Sequence, residues 1–279
     1  MKRIIERAKI VIEALPYIRK FYGNTFVIKY GGAAMEKADL RESVAKDVIL
    51  MKYVGMNPIL IHGGGPEITL ALEKLNKKTK FVQGLRMTDK QTMNVVEDVL
   101  VRKINKDIVN LINKYSGKAI GLSGKDASFI RVRRQTPDGI DIGFVGEVEK
   151  VNSRFLSALA KDFIPVIAPV GVDEKGIVYN VNADEVASNI ASALKADKLI
   201  MLTDVRGVLD KKGNLISTIK LKDAKRTMSA VGKGMIPKLK GCINAVKQGV
   251  KKTHIIDGRI PHALLLEIFT DEGIGTQIT

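Results

Sequence analysis

The sequence predicts an α/β fold with a mainly parallel sheet, and three observations carry that expectation. Apolar runs of strand length recur at 25–30, 58–62, 118–121, 164–170, 198–203 and 252–257, each closed by glycine or an Asx residue. Stretches with helical spacing lie between them, at 41–54, 67–76, 88–113, 153–161, 183–194 and 238–247. Alternation of the two is the pattern of strands joined by helical crossovers.

Taken in order, Ile4, Ile5, Ala8, Val11, Ile12 and Leu15 form one stripe of a 3.6-residue period, a helix that Pro16 ends or kinks. The first strand ends on Lys29 and runs into Gly31 and Gly32, where bare backbone can approach an anion and a lysine adds a movable charge. The second ends in His62-Gly63-Gly64-Gly65-Pro66, again strand, glycine turn and helix, with proline suited to the first helical position. Between 139 and 151, Ile140, Ile142, Phe144, Val148 and Val151, punctuated by Gly143 and Gly146, predict a hairpin outside the main sheet. Asn180-Val181-Asn182-Ala183-Asp184 opens the helix at 183–194; its amides suit a carboxylate, and Asp184 could hold two lysines. Thr203 to Asp210 form a loop at the carboxyl end of a strand, where α/β proteins place ligands. Gly234-Met235-Ile236-Pro237-Lys238 brings a second lysine to a helix start. No low-complexity linker interrupts the chain, so two lobes would share a short junction near Lys195.

Composition narrows the function. A chain of 279 residues can bury a sizeable core as one domain or two lobes. The single Cys242 excludes an intramolecular disulfide and points to a reducing compartment, the cytoplasm by default. Charges interrupt every apolar run before about 18 residues, so no membrane span is expected, and the basic start lacks the apolar core of a signal peptide. The net charge of +16 is spread along the chain, with no reader module and no zinc spacing, which argues against nucleic acid as a partner. Phosphate chemistry would need parts other than the common ones. There is no Walker A loop, since Gly121-Leu122-Ser123-Gly124-Lys125-Asp126 has the wrong spacing, and neither G-x-G-x-x-G nor the protein-kinase H-R-D and D-F-G elements occur.

These segments, with Gly84-Leu85-Arg86-Met87-Thr88 and the closing run from Leu266 to Thr276, resemble the amino acid kinase family over nearly the whole chain. The resemblance implies an open αβα sandwich: a helix at 1–24 for oligomerisation, a lobe at 25–195 for an acetylated amino acid, and a lobe at 196–279 for ATP. It points to the members that phosphorylate the γ-carboxylate of N-acetyl-L-glutamate, with acetylated or carrier-bound aminoadipate, glutamate and aspartate as rival acceptors. By the same resemblance, Lys29 and Lys238 neutralise the transferring phosphoryl group and Asp184 orients both. Gly64, Gly65, Arg86 and Asn180 contact the acyl amino acid. Gly31, Gly32, Thr203, Asp204, Val205, Gly207, Leu209, Gly234 and Met235 line the nucleotide, which brings Mg²⁺ on its phosphates with no dedicated protein ligand. Tyr17, His254, Glu267 and Gly273 would surround an L-arginine effector, and the N-terminal helix would interlace three dimers into a homohexamer.

Overall fold

The computed structural model describes residues 1–232 and 234–279, without the side chains of Lys2, Arg3 and Arg7. Eight strands form one sheet in the order Thr218–Ile219, Thr276–Ile278, Lys252–Asp257, Lys198–Thr203, Thr25–Tyr30, Asn57–His62, Ile164–Ala168, Ala119–Ser123. Every pairing is parallel except that of Thr276–Ile278 with Lys252–Asp257. The central strand explains the layering. Phe26, Ile28 and Tyr30 enter one core layer, under helix Ala38–Tyr53 and helix Asn105–Lys114, while Val27 enters the other, under helix Ala183–Leu194 and helix Ile236–Lys247. Burial on both faces is why these strands read as continuous apolar runs. The expected αβα sandwich is the observed architecture.

Several expectations need correction. The segment 139–151 is not a hairpin. Only Val145–Val151 is a strand, and its antiparallel partner is Ile130–Arg134, inside a closed four-stranded barrel completed by Val170–Val172 and Val178–Val181. The predicted strand 164–170 is divided by Pro169, so that Ile164–Ala168 stays in the main sheet and Val170–Val172 turns into the barrel. The helical stretch 88–113 is three pieces: Lys90–Glu97, a π-helical segment Asp98–Ile104, and Asn105–Lys114. The N-terminal stripe is two helices, Lys2–Glu13 and Leu15–Phe21, with Pro16 in the first turn of the second, where its missing N–H leaves no bond unmade. Every described side chain of Lys2–Glu13 is exposed, including Ile10, Val11 and Ile12. Among the described residues no helix is long and apolar enough to cross a membrane.

Candidate active site

A cleft of about 310 Å³ opens at the carboxyl ends of Thr25–Tyr30 and Asn57–His62. Its wall brings together Lys29, Gly31, Gly32, Gly64, Gly65, Arg86, Asn180, Asp184 and Lys238, residues drawn from across the sequence.

Asp184 sits in the first turn of Ala183–Leu194, a helix capped by Asn182, whose side-chain oxygen accepts from the Asp184 and Glu185 N–H groups at 2.8 and 3.3 Å. One carboxylate oxygen lies 3.1 Å from Lys29 Nζ; the other accepts a hydrogen bond from Lys238 Nζ, also at 3.1 Å. Burial pushes the Asp184 carboxyl up, but the two ammonium charges outweigh it and hold the group below the usual carboxylate range. One anion thus fixes two cations that arrive from a strand end and from the first turn of Ile236–Lys247.

Opposite them, Arg86 is 7% exposed and has no acidic partner among the described residues. Its guanidinium donates to Thr79 Oγ1 at 3.1 Å, Thr69 Oγ1 at 2.9 Å and the Gly65 carbonyl at 2.9 Å, and stacks on Phe81 with its carbon 4.9 Å from the ring centroid. Desolvation lowers its pKa. A buried, oriented cation with donors to spare is built to receive an anion, and its fork suits a carboxylate. Asn180, in register with Val145 in the barrel, donates to Thr88 Oγ1 at 3.3 Å and borders the same cleft.

Glycine is required at two places. Gly32 has φ +65° and its missing Cβ leaves room for the Asp204 carboxylate, which accepts from the Ala33 N–H at 2.6 Å. Gly64 has φ +155°, which L side chains rarely adopt, and a Cβ there would also press the terminal methyls of Leu100 and Ile104 in the π-helical segment at 2.5 and 2.6 Å.

Of the residues expected on the nucleotide side, Gly31 and Gly32 line this cleft, whereas Thr203, Asp204, Val205, Gly207 and Leu209 lie at the end of Lys198–Thr203 and along the loop after it. Thr203 Oγ1 donates to the Ile256 carbonyl at 3.2 Å and accepts from Val205 N–H at 3.3 Å. Gly207 is held against Thr276, whose hydroxyl accepts from Val208 N–H at 2.8 Å, and Leu209 forms a bridge with Leu215. Gly234 and Met235 precede Ile236–Lys247, with Met235 at its N-cap. Asp204 reaches the glycine turn of the first strand through the Ala33 N–H.

Tyr17, His254, Glu267 and Gly273 gather elsewhere. Glu267 meets His254 Nδ1 at 2.6 Å and Lys198 Nζ at 3.9 Å, accepts from Ile274 N–H at 3.1 Å, and leaves room at Gly273 for no side chain without crowding Oε2. Burial alone would raise the Glu267 pKa, yet the hydrogen bond and charge of His254, with Lys198, hold it low. Tyr17 joins the group through an edge-on contact with Phe269, centroids 6.4 Å apart. The threonines around Arg86 and the pair of His62 with Asn105 escaped sequence reasoning, since they join segments far apart in the chain.

Comparison with known proteins shows the family. The profile of the amino acid kinase family matches residues 24–257. Acetylglutamate kinase of Syntrophus aciditrophicus is 54% identical over 286 residues, covering 98% of this chain and 97% of that protein. The acetylglutamate kinase of Aquifex aeolicus is 53% identical over 296 residues, covering 100% and 99%. Among solved structures, N-acetylglutamate synthase from Neisseria gonorrhoeae, complexed with coenzyme A and N-acetyl-glutamate, superposes with a TM-score of 0.89 at 24% identity; the match covers 98% of this chain and 63% of the synthase. Carbamate kinase from Giardia lamblia bound to AMP-PNP gives 0.62 at 16% identity, over 92% and 98%. At those identities the two structures speak to fold alone.

Proposed function

The chain belongs to the amino acid kinase family, and on that premise we propose that the cleft around Asp184 is where it transfers the γ-phosphoryl group of ATP to a carboxylate. The protein is an acetylglutamate-phosphorylating enzyme: it uses ATP to convert N-acetyl-L-glutamate to its 5-phosphate, a step of arginine biosynthesis. The observation that carries the site is Asp184 holding Lys29 and Lys238 in a glycine-lined cleft that also contains a buried arginine with no acidic partner among the described residues.

The chemistry asks little beyond alignment and neutralisation. A γ-carboxylate is already ionised at neutral pH, so no general base is needed. Its oxygen bonds to the γ-phosphorus while the bond from that phosphorus to the bridging oxygen breaks, and ADP leaves with the electron pair. Both reactants are anions, so Lys29 and Lys238 offset their repulsion, and N–H groups of Gly31, Gly32 and Gly64 face the phosphate oxygens. Arg86 holds the α-carboxylate of the substrate, with Gly64, Gly65 and Asn180 around the acetamido group. Thr203, Asp204, Val205, Gly207, Leu209, Gly234 and Met235 form the nucleotide wall, making 196–279 the nucleotide lobe and 25–195 the acyl-amino-acid lobe. Asp184 is already engaged by two lysines, so Mg²⁺ fits best on the phosphates of ATP, where it supplies further charge neutralisation.

Regulation and assembly extend this reading. L-arginine would seat its guanidinium on Glu267, beside His254, Tyr17 and Gly273, as a feedback inhibitor. The exposed apolar residues of Lys2–Glu13 would be covered by another copy of the chain in a hexamer of three dimers. The enzyme would work in the cytoplasm. One assay tests the reaction and its inhibition together: ATP-dependent acyl-phosphate formation, trapped as hydroxamate, with N-acetyl-L-glutamate, L-glutamate, L-aspartate and N-acetyl-aminoadipate, each with and without millimolar L-arginine. Turnover confined to N-acetyl-L-glutamate and reduced by arginine supports the reading. Turnover on another acid, or indifference to arginine, removes the corresponding part of it.

A further inference from the structure

We propose that His62 is a positioning residue for phosphoryl transfer, pinning the Gly63 carbonyl so that the Gly64 N–H is aimed into the cleft. This role rests on the reading of the cleft as the phosphoryl-transfer site.

His62 is fully buried at the end of Asn57–His62, one residue before the glycine turn, and among the described residues is hydrogen-bonded to neither of the lysines nor Asp184. Its Nδ1 lies 2.7 Å from the Gly63 carbonyl oxygen, and its Nε2 lies 3.3 Å from Asn105 Nδ2. The Asn105 nitrogen also faces the Val166 carbonyl at 2.9 Å and the Leu122 carbonyl at 3.4 Å, which identifies it as the amide NH₂, a donor only. Nε2 therefore accepts, the ring proton sits on Nδ1, and Nδ1–H donates to Gly63. Burial keeps the imidazole neutral by pushing its pKa down to about 4. Asn105 can reach the ring because Gly121 has no Cβ; one there would collide with the Asn105 side-chain oxygen.

The consequence follows from peptide planarity. The Gly63–Gly64 peptide is trans, so its C=O and its N–H point in opposite directions. With the carbonyl tied to the buried imidazole, the Gly64 N–H faces the other way, toward the cleft that Gly64 lines. The turn is fixed on both sides of this peptide: Gly63 N–H donates to the Tyr30 carbonyl at 2.8 Å, and the Gly64 carbonyl accepts from Ile68 N–H at 3.0 Å. The Gly64 N–H has no protein acceptor among the described residues. Between these fixed neighbours a glycine peptide could still flip about its two flanking bonds. His62 removes that freedom, so a donor stands ready where charge accumulates as the phosphoryl group moves.

The test uses H62N, which keeps an N–H donor at the place of Nδ1, H62Q, which moves it to the place of Nε2, and H62L, which removes it. kcat and both KM values are measured in the hydroxamate assay, beside thermal melting of each protein. Expected are kcat for H62N within about threefold of the parent, and losses of at least about tenfold in H62Q and H62L with KM values nearly unchanged. If H62L does not fold, the H62N and H62Q pair decides. Equal kcat in H62N and H62Q, or activity that simply follows melting temperature across the variants, would overturn the role of His62 while an active parent leaves the site standing. A parent with no turnover on any of the acids would overturn the reading of the cleft, and the role of His62 with it.

Discussion

Replacing Asp184 by asparagine removes the carboxylate that joins two lysines, and the structure sets the size of the effect. Each ammonium lies 3.1 Å from a carboxylate oxygen; at an effective dielectric near 20, each attraction is about 5 kcal/mol before desolvation is subtracted. Removing one partner of a buried pair costs about 3–5 kcal/mol. Lys29 and Lys238 keep some access to water, with side chains 12% and 29% exposed, so about 2–3 kcal/mol is expected, a fall in melting temperature of roughly 4–10 °C. Added Mg·ATP should raise the variant's melting temperature more than the parent's, because the γ-phosphate replaces the missing anion. kcat should drop about 10²–10³-fold once the lysines are no longer held, with KM for ATP changed far less. The pH dependence has a definite sign. Asp184 is held below its unfolded value near 3.9, so its stabilisation is complete above that pH and is lost as pH falls through the folded value. The gap between parent and D184N should be constant from about pH 5 to 9 and close only below about 4. Scanning fluorimetry across pH, with and without nucleotide, measures all of this. Equal stability at pH 7 without nucleotide would refute the electrostatic reasoning, and so would a gap that opens only in the alkaline range.

Exchanging Arg86 for lysine should raise KM for the acid about 10- to 100-fold with kcat nearly kept, since a point charge loses the fork; steady-state kinetics with each substrate varied would show it. Asp47, buried and paired with His262 at 2.6 Å, has its pKa raised by burial to about 6, whereas burial lowers that of His62 to about 4. Stability contributed by Asp47 is therefore lost as pH rises from about 4 to 6, and that contributed by His62 is lost as pH falls from about 6.5 to 4. Urea titrations should find D47N gaining on the parent as pH rises through this window and H62N gaining as it falls, each by up to about 3 kcal/mol. Cys242, buried with a thiol pushed up to about 12, should not react with a disulfide reagent until the protein unfolds.

The main sheet was legible because its strands are buried on both faces, and Phe26-Val27-Ile28 announces that without reference to partners. Lys29, Asp184 and Lys238 were legible only as a set carried by family resemblance; alone, each is an ordinary lysine or helix-start residue. What escaped depends on pairing. Ile130–Arg134 reads as a basic cluster, Val170–Val172 and Val178–Val181 are too short to declare themselves, and their barrel exists only through mutual register. The π-helical segment Asp98–Ile104 keeps a helical hydrophobic pattern, so one-dimensional spacing reads straight through it. Arg86 was visible as a candidate anion holder, but Thr69 and Thr79, which aim it, became visible only when the chain folded back.

The central strand also sets a timetable for synthesis. Phe26 pairs with Lys198, about 170 residues downstream. At about 5–20 residues per second on the ribosome, that partner is made roughly 10–35 s after the strand it will complete. Throughout that interval one edge of Thr25–Tyr30 is open, with its apolar side chains on a nascent chain that cannot yet close its sheet. The strand that ends in Lys29 is thus also where a chaperone would first find something to hold.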